Sequence, residues 1–133
     1  MINKKRYLKF WISRILQHMR KKNFQVDPLP TVKFIDTVND PDNLFISTGN
    51  YDSKTRTVNL YIDGRHVKDI LRSFCHEMVH HHQNLENSDY LRRVDLTGKI
   101  DENPELNSIE SEAFLLGNKL FRSFTEEYTM PNK

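Results

Sequence analysis

The chain lacks the features that stabilise secreted domains and anchor membrane proteins. Its 133 residues include one cysteine, Cys75, so no disulfide can form within it. No apolar run approaches the roughly 18 residues that cross a membrane. Lys9 and Arg14 interrupt the apolar stretch that a secretory signal would need, and no small-residue cleavage pattern follows them. We therefore expect a cytoplasmic protein that folds without covalent cross-links.

Acidic residues are missing from the first 26 positions, although the net charge of the chain is only +2. This segment carries eight Lys and Arg residues, whereas the remainder of the chain is acidic overall. The favoured interpretation of 1–26 is a basic amphipathic helix that docks its apolar stripe on the rest of the domain. The alternative is that residues 1–22 bind nucleic acid or an anionic membrane surface. The apolar stripe recurs at helical spacing: Leu8, Trp11, Ile12, Ile15 and Met19.

What the chain does contain is the pattern His76-Glu77-Met78-Val79-His80. Histidines at positions i and i+4 of a helix lie on one side of it, where both imidazoles can bind the same metal ion. A carboxylate next to the first histidine completes the outline of a hydrolytic zinc site. The pattern therefore predicts bound Zn²⁺, provided that the segment is helical; a pair of solvated surface histidines is the simpler interpretation.

The residues around the motif predict that helix. Apolar side chains recur every three or four positions from Val67 to Leu85, which is typical of an amphipathic helix with one buried face. At about 100° per residue, His76 and His80 lie within about 40° of each other and opposite the apolar stripe. We therefore expect both to face away from the core. Their neighbours Cys75, His81 and His82 point toward the apolar side, where we expect them to pack rather than bind metal.

Glu77 lies about 100° around the helix from His76, so we expect it to border the metal without binding it. A catalytic zinc keeps three protein ligands and one position for water, and it lowers the pKa of that water toward about 7. Glu77 is placed to act as a general base that takes the proton and passes it to a leaving amine. An ordinary glutamate on the helix surface is the alternative.

The third ligand must come from another part of the chain. Helical spacing of apolar residues, Phe114 among them, predicts a second helix over 107–124, with Asn107 or Ser108 as its cap. Glu110 and Glu112 both lie at the edges of its apolar face, where either can reach a groove between two helices. Both also favour the helix dipole in the first turn, so the spacing leaves the choice between them open.

The motif and this second helix together carry a family resemblance. His76-Glu77-x-x-His80, followed about thirty residues later by Glu110-x-x-Ala113, resembles the gluzincin type of zinc metallopeptidase, particularly the small ImmA/IrrE-like group. In such families the glutamate three positions before a small residue is the third zinc ligand, so the resemblance implies Glu110, with Glu112 as the alternate. The family pattern continues with Asp or Asn four residues after the ligand. This chain has Phe114 there, which implies different contacts around the ligands.

Strand-like segments precede the motif. Residues 31–35 predict a first strand, and two more are predicted at 44–47 and 57–62, joined by a turn-rich segment at 49–54. A strand that runs directly into the metal-binding helix is how zincin-like peptidases look, and such an edge strand pairs with an extended substrate. We therefore expect 57–62 to hold the substrate, with an ordinary sheet strand as the alternative.

A long loop is predicted between the two metal-binding segments, over residues 86–106, where Asp, Asn, Gly and Pro are frequent. We expect it to cross the cleft. Tyr90, Arg92 and Arg93 are the residues there that can hydrogen-bond a developing oxyanion, and the spacing selects none of them. Surface positions that only pack or solvate are the alternative for all three.

Taken together, the sequence predicts a single α+β domain over 1–133 of minimal zincin-like form. Its parts are an N-terminal helix, a small sheet of about three strands, a metal-binding helix and a C-terminal helix. The expected function is that of a zinc-dependent metallopeptidase, an endopeptidase acting on peptides or proteins, with Zn²⁺ held by His76, His80 and Glu110 and water activated by Glu77. The alternatives are a zinc-containing binding protein without turnover and a module that acts through its basic helix.

Overall fold

A computed structural model gives the fold over residues 3–36, 48–86 and 104–128. These residues form three helices and a three-stranded mixed sheet, which confirms the predicted α+β class. The predicted strand at 44–47 and the loop residues Tyr90, Arg92 and Arg93 lie outside the described residues. The elements in chain order are α1 (Lys4–Lys21), β1 (Thr31–Ile35), β2 (Gly49–Asp52), β3 (Thr57–Tyr61), α2 (Val67–Glu86) and α3 (Pro104–Glu127).

The sheet has the strand order β1-β3-β2. β1 pairs parallel with β3, with Thr31 opposite Thr57, and β2 pairs antiparallel with β3, with Gly49 opposite Leu60. The strand predicted to hold the substrate, 57–62, is therefore the central one. Because both of its edges are already hydrogen-bonded within the sheet, that prediction is wrong, and β2 and β1 form the two outer strands of the described sheet.

The hairpin between β2 and β3 turns later than the sequence predicted. Asp52 begins the turn, because its Oδ1 accepts hydrogen bonds from the backbone N–H groups of Lys54 at 2.9 Å and Thr55 at 3.3 Å. The segment before it, assigned to the turn from its Gly, Asn and Asp residues, is strand β2. Pairing with β3 overrides those local preferences, and Asn59 Nδ2 donates to Asn50 Oδ1 across the pair at 2.8 Å.

Helix α1 is docked on the domain, as the favoured interpretation of the basic segment predicted. Each of its stripe residues is at most 8% exposed, because the stripe packs into the main core. The helix begins after Asn3, whose Oδ1 accepts from the backbone of Lys5 and Arg6, and it ends at Lys21 rather than continuing to residue 26. Binding of nucleic acid or an anionic membrane by its exposed basic face stays a prediction.

Helix α2 packs on β2, β3 and α3, and its apolar stripe supplies the centre of the core. Cys75 is fully buried, as predicted, and burial raises the pKa of its thiol. α3 begins at Pro104, three residues before the predicted start, because proline suits the first helical position, where its missing N–H costs nothing. None of the helices in the described ranges has the length and apolar composition that a bilayer crossing requires.

The far end of α3 is tied to α1 by a buried histidine. His18 is fully buried, its Nδ1 lies 2.8 Å from Glu127 Oε2, and its Nε2 lies 2.9 Å from Ser123 Oγ. The ring also makes edge contacts with Phe124 and Tyr128. This cluster holds α1 against the C-terminal turns of α3.

Candidate metal centre

Three metal-binding side chains converge between α2 and α3. His76, His80 and Glu110 each offer one atom to a group in which all of these atoms lie within 4.8 Å of one another. His80 Nε2 lies 2.5 Å from Glu110 Oε1, and His76 Nε2 lies 3.7 Å from Glu110 Oε2. Two imidazole nitrogens and one carboxylate are a ligand set found in catalytic zinc sites, so the donor chemistry fits Zn²⁺.

Burial of the two histidines differs from the prediction that both face away from the core. His80 is 2% exposed, whereas the side chain of His76 is 26% exposed. A helical wheel of α2 alone places both rings opposite its apolar stripe, but α3 packs over that side of the helix. The candidate centre therefore lies at the interface between two helices, where His80 is the deeper residue and His76 lies nearer solvent.

A glycine on α3 permits this close packing. A Cβ atom built on Gly117 would lie 3.0 Å from the Cα of His76 and 3.2 Å from its backbone nitrogen. This is closer than most contacts of a Cβ atom, so a side chain here would require α3 and the first histidine to separate by a few tenths of an ångström. Gly117 thus sets the separation across which Glu110 reaches both imidazoles.

The ring of His80 is oriented by Gln83, one turn further along α2. Gln83 Nε2 donates to the backbone oxygen of Ile109 at 3.1 Å and to Glu112 Oε1 at 2.8 Å. Because both of these partners are acceptors, the amide oxygen of Gln83 faces His80 Nδ1, 2.8 Å away, and accepts its hydrogen. His80 Nε2 is then the nitrogen directed at the candidate metal position.

The structure separates the two glutamates that the sequence left open. Glu110 reaches His76 and His80, whereas Glu112 is exposed and bonds to Gln83 instead. Although burial raises the pKa of Glu110, hydrogen bonds with the two histidines outweigh that effect and lower its pKa to about 2. Glu110 is therefore a carboxylate, the form in which it would bind a cation.

Glu77 is buried rather than on the helix surface, with only 6% of the residue exposed. Burial raises the pKa of its carboxyl, while the positive charge of His80 and His76 acts in the opposite direction and Glu110 adds to the rise. Its Cγ lies 3.7 Å from the point where a side chain on Gly49 would begin. Glu77 therefore sits between the histidines and strand β2, next to the candidate centre but outside the converging group.

A surface cleft of about 390 Å³ opens onto these residues. Phe114 stands at its α3 side and is 66% exposed, so the prediction that it belongs to the buried stripe of α3 is wrong. It contributes an exposed ring to the cleft wall. The residues that line the cleft are Thr48, Gly49, Arg72, Ser73, His76, Glu77, Glu110, Phe114 and Asn118.

Arg65 joins the strand side of this cleft to the helix side. Its Nη1 donates to the backbone oxygens of Thr48 at 2.9 Å and Tyr61 at 2.7 Å. Its Nη2 donates to the backbone oxygen of Asp69 at 3.1 Å and to Ser73 Oγ at 2.8 Å. Since Thr48 and Ser73 both line the cleft, this guanidinium sets the distance between its two walls.

The histidines next to the motif pack rather than join the converging group, as predicted. His81 is fully buried, and its Nε2 donates to the backbone oxygen of Pro28 at 2.9 Å. Its Nδ1 therefore accepts from the hydroxyl of Tyr51 at 2.7 Å, which leaves neither nitrogen open to a metal. His82 Nδ1 accepts from the backbone N–H of Gln25 at 2.8 Å.

Sequence reasoning missed Gln83, Gly117 and Arg65. For Gln83 a signal exists, because His80 and Gln83 are three residues apart and so lie on neighbouring positions of one helix face. Gly117 is unusual as a glycine inside a helix, which points to close packing. Nothing local to Arg65 indicates its role, since three of its four acceptors are backbone oxygens contributed by three elements or their ends.

Comparison with known proteins found no matching family model, no matching curated protein and no matching solved structure.

Proposed function

We propose that the protein is a zinc-dependent metallopeptidase, and more narrowly an endopeptidase. The observation that carries the proposal is the convergence of His76, His80 and Glu110 within 4.8 Å, with His76 and Glu110 on the wall of an open cleft. Glu77 adds a carboxylate beside that group, and hydrolytic zinc sites require both parts. Two of the three candidate ligands and the candidate base line the same cleft, which favours turnover over a zinc ion that only stabilises the fold.

The residues of the candidate centre have separate roles in the proposed reaction. A zinc ion held by His76, His80 and Glu110 would supply Lewis acidity, which polarises a carbonyl and lowers the pKa of water toward about 7. Glu77 accepts the proton of the attacking water and returns it to the leaving amine. Its position favours this role, because Glu77 lines the cleft beside the candidate ligands and lies outside the converging group.

Strand β2 is the element best placed to hold an extended peptide. Tyr61 N–H donates to Thr48 O, so the backbone of Thr48 faces β3. In an antiparallel pair the next residue, Gly49, turns its N–H and C=O away from β3. Because Gly49 lines the cleft and approaches Glu77, we propose that the substrate runs alongside β2 rather than β3.

A protease screen on matched variants tests the function. Wild type with one equivalent of zinc is expected to cleave at least one peptide of a diverse library, read by mass spectrometry. Glu77→Gln is expected to keep its zinc and lose about 100-fold or more in rate, since general-base catalysis contributes about 10²–10⁴-fold. Glu112→Gln, an exposed glutamate near the same centre, is the control and should retain activity.

Two outcomes would overturn the proposal. Cleavage that survives in zinc-loaded Glu77→Gln would remove the assigned base. Zinc bound by all three proteins without any cleavage would favour a zinc-containing binding protein instead. The cytoplasmic location expected from the sequence stays a separate prediction, which fractionation of the producing cell would test.

A further inference from the structure

A second concave surface lies at the edge of the sheet opposite to β2. It is a groove of about 260 Å³ between α1 and β1, which we call the α1–β1 groove. We propose that it binds an extended segment of another protein in which apolar and acidic residues alternate, and that this segment adds a strand to β1. The residues that line it are Lys9, Ile12, Ser13, Leu16, Gln17, Arg20, Leu29, Val32 and Phe34.

The groove exists because the helices cover the sheet unevenly. α2 packs on β2 and β3, and α1 packs on α2 and α3, so none of the three described helices packs closely on β1. Val58 and Leu60 on β3 are fully buried, whereas Val32 and Phe34 on β1 remain partly exposed. An inserted apolar side chain would complete the burial of these two residues, which is a favourable change.

Among the described residues, the outer edge of β1 has backbone groups without a hydrogen-bond partner. Thr31 N–H donates to Arg56 O, and Ile35 O accepts from Ile62 N–H, so residues 31, 33 and 35 turn their backbone groups toward β3. The N–H and C=O groups of Val32 and Phe34 therefore point outward. No other group in the described ranges forms a hydrogen bond with these four groups. An added strand can bond to all four while its alternate side chains enter the groove.

Charge and shape select the class of partner. Lys9 stands on the rim without an ion pair among the described residues, and α1 contains no Asp or Glu. An acidic partner is therefore favoured over a basic one. The concave apolar floor, which includes the 54% exposed Leu29, suits inserted side chains. Nucleic acid offers no such side chains, and a membrane surface would be met by a protruding face rather than a hollow one.

The proposal is independent of the metal centre. β1 and β2 are the two outer strands of the described sheet, with β3 between them, so the α1–β1 groove and the cleft lie at opposite edges. A variant in the groove therefore leaves zinc binding intact, and the failure of either proposal would not affect the other.

Binding of designed peptides to the zinc-loaded full chain tests this surface. The probes are fluorescein-labelled ten-residue peptides that alternate Glu with Val, Leu or Phe, measured by anisotropy. At least one is expected to bind with a dissociation constant in the range of about 1–100 μM, which is usual for a short added strand. The same peptides with Lys in place of Glu should bind at least about tenfold more weakly.

Matched variants locate the binding surface. Leu29→Glu and Lys9→Glu should each weaken binding about tenfold or more, which corresponds to about 1.4 kcal/mol. Leu115→Glu is the control for the first, because Leu115 is also 54% exposed but lies on α3. Arg14→Glu is the control for the second, because Arg14 lies on α1 without lining the groove. Both controls should bind within about twofold of wild type.

Val32→Pro tests the added strand itself. It removes an outward N–H and no bond to β3, so the fold is expected to survive while peptide affinity falls several-fold. Amide chemical shifts of residues 32 and 34 should move on peptide binding.

Each contrary result overturns the proposal. One such result is the absence of binding by any alternating peptide at about 1 mM. Another is equal binding of the Lys and Glu series, and a third is affinity that none of the groove variants changes. Binding of duplex DNA or phosphatidylglycerol vesicles that depends on Lys9 and Leu29, in place of peptide, would assign the groove to the other class of partner.

Discussion

Helix α3 contributes the glutamate of two histidine–glutamate pairs, one toward each of its ends. Only one of these pairs belongs to a candidate metal centre. Glu110 meets His80 near the start of the helix, and Glu127 meets His18 near its end. Both histidines are buried, and both pairs join α3 to another helix. The difference lies in what surrounds the pair. His76 brings a second nitrogen to Glu110, whereas the other nitrogen of His18 is bonded to Ser123.

The comparison shows which features distinguish a buried histidine that only links two helices from one that belongs to a candidate metal site. In the described part of the chain, the group that contains His76 is the one set of three such side chains that converge, and the His18 pair gains no third member. The residue at the other ring nitrogen also differs, because Gln83, on the same helix as His80, faces its Nδ1, whereas Ser123 on α3 bonds to Nε2 of His18. A buried histidine beside a glutamate is therefore insufficient evidence of a metal.

The largest expected effect separates the two pairs by zinc affinity. His80→Ala should lower the affinity about 10³-fold, because a zinc binding energy of about 10–16 kcal/mol is shared among few ligands. His18→Ala should leave it unchanged. Competition titration with a chromophoric chelator measures both. Equal loss in the two variants would mean that the pairs do not differ as described.

The reverse comparison uses the free energy of unfolding of the metal-free protein. His18→Ala should lower it by about 2–4 kcal/mol, because the change leaves a cavity among Phe124 and Tyr128 and removes the link between α1 and α3. Urea denaturation followed by circular dichroism provides the measurement. A loss below about 1 kcal/mol would contradict the role of His18 as a link between α1 and α3.

Gln83→Leu tests whether orientation of His80 distinguishes the two pairs. Removing the acceptor of the Nδ1 hydrogen should weaken zinc binding about 10–100-fold, which is the usual effect of a partner behind a histidine ligand. Gln17→Leu, an exposed glutamine on α1, is the matched control and should bind zinc as wild type does. Unchanged affinity in Gln83→Leu would show that the ring is held by packing alone.

The smallest expected effect concerns helix separation. Gly117→Ala should move α3 away from His76 by a few tenths of an ångström, because its Cβ would lie 3.0 Å from the His76 Cα. We expect a destabilisation of about 1–2 kcal/mol and a several-fold loss of zinc affinity. Ser111→Ala, on the exposed face of α3, should change neither quantity. A fully tolerated Gly117→Ala would mean that the separation at His76 is not what positions Glu110.

The helices and strands were predictable from the sequence where the side-chain pattern that defines them lies within one segment of the chain. Strand β1 has the predicted bounds of 31–35, and α2 extends one residue beyond the predicted Leu85. β2 was missed because its residues have turn preferences that only pairing with β3 overrides. The central position of β3 depends on β1 joining it from a distant part of the sequence, and local periodicity carries no information on strand order.

The candidate centre was likewise predictable only where the relation between its residues is local. Spacing on one helix brings His76, Glu77 and His80 together, because the geometry of a single helix fixes their relation. The choice of Glu110 over Glu112 depends on how α3 lies on α2, which is set by contacts such as that of Gly117 with His76. Burial of His80 follows from the same packing, so no wheel of α2 alone could predict it.

The central claim is that Glu110, and not Glu112, joins His76 and His80 in one zinc site. Equilibrium zinc titration of wild type, Glu110→Gln and Glu112→Gln tests it most directly. We predict one equivalent bound by wild type, an affinity at least about 100-fold weaker in Glu110→Gln, and a change within about tenfold in Glu112→Gln, where only the bond to Gln83 is altered. Wild type that binds no zinc, or two variants that bind it equally well, would contradict the account.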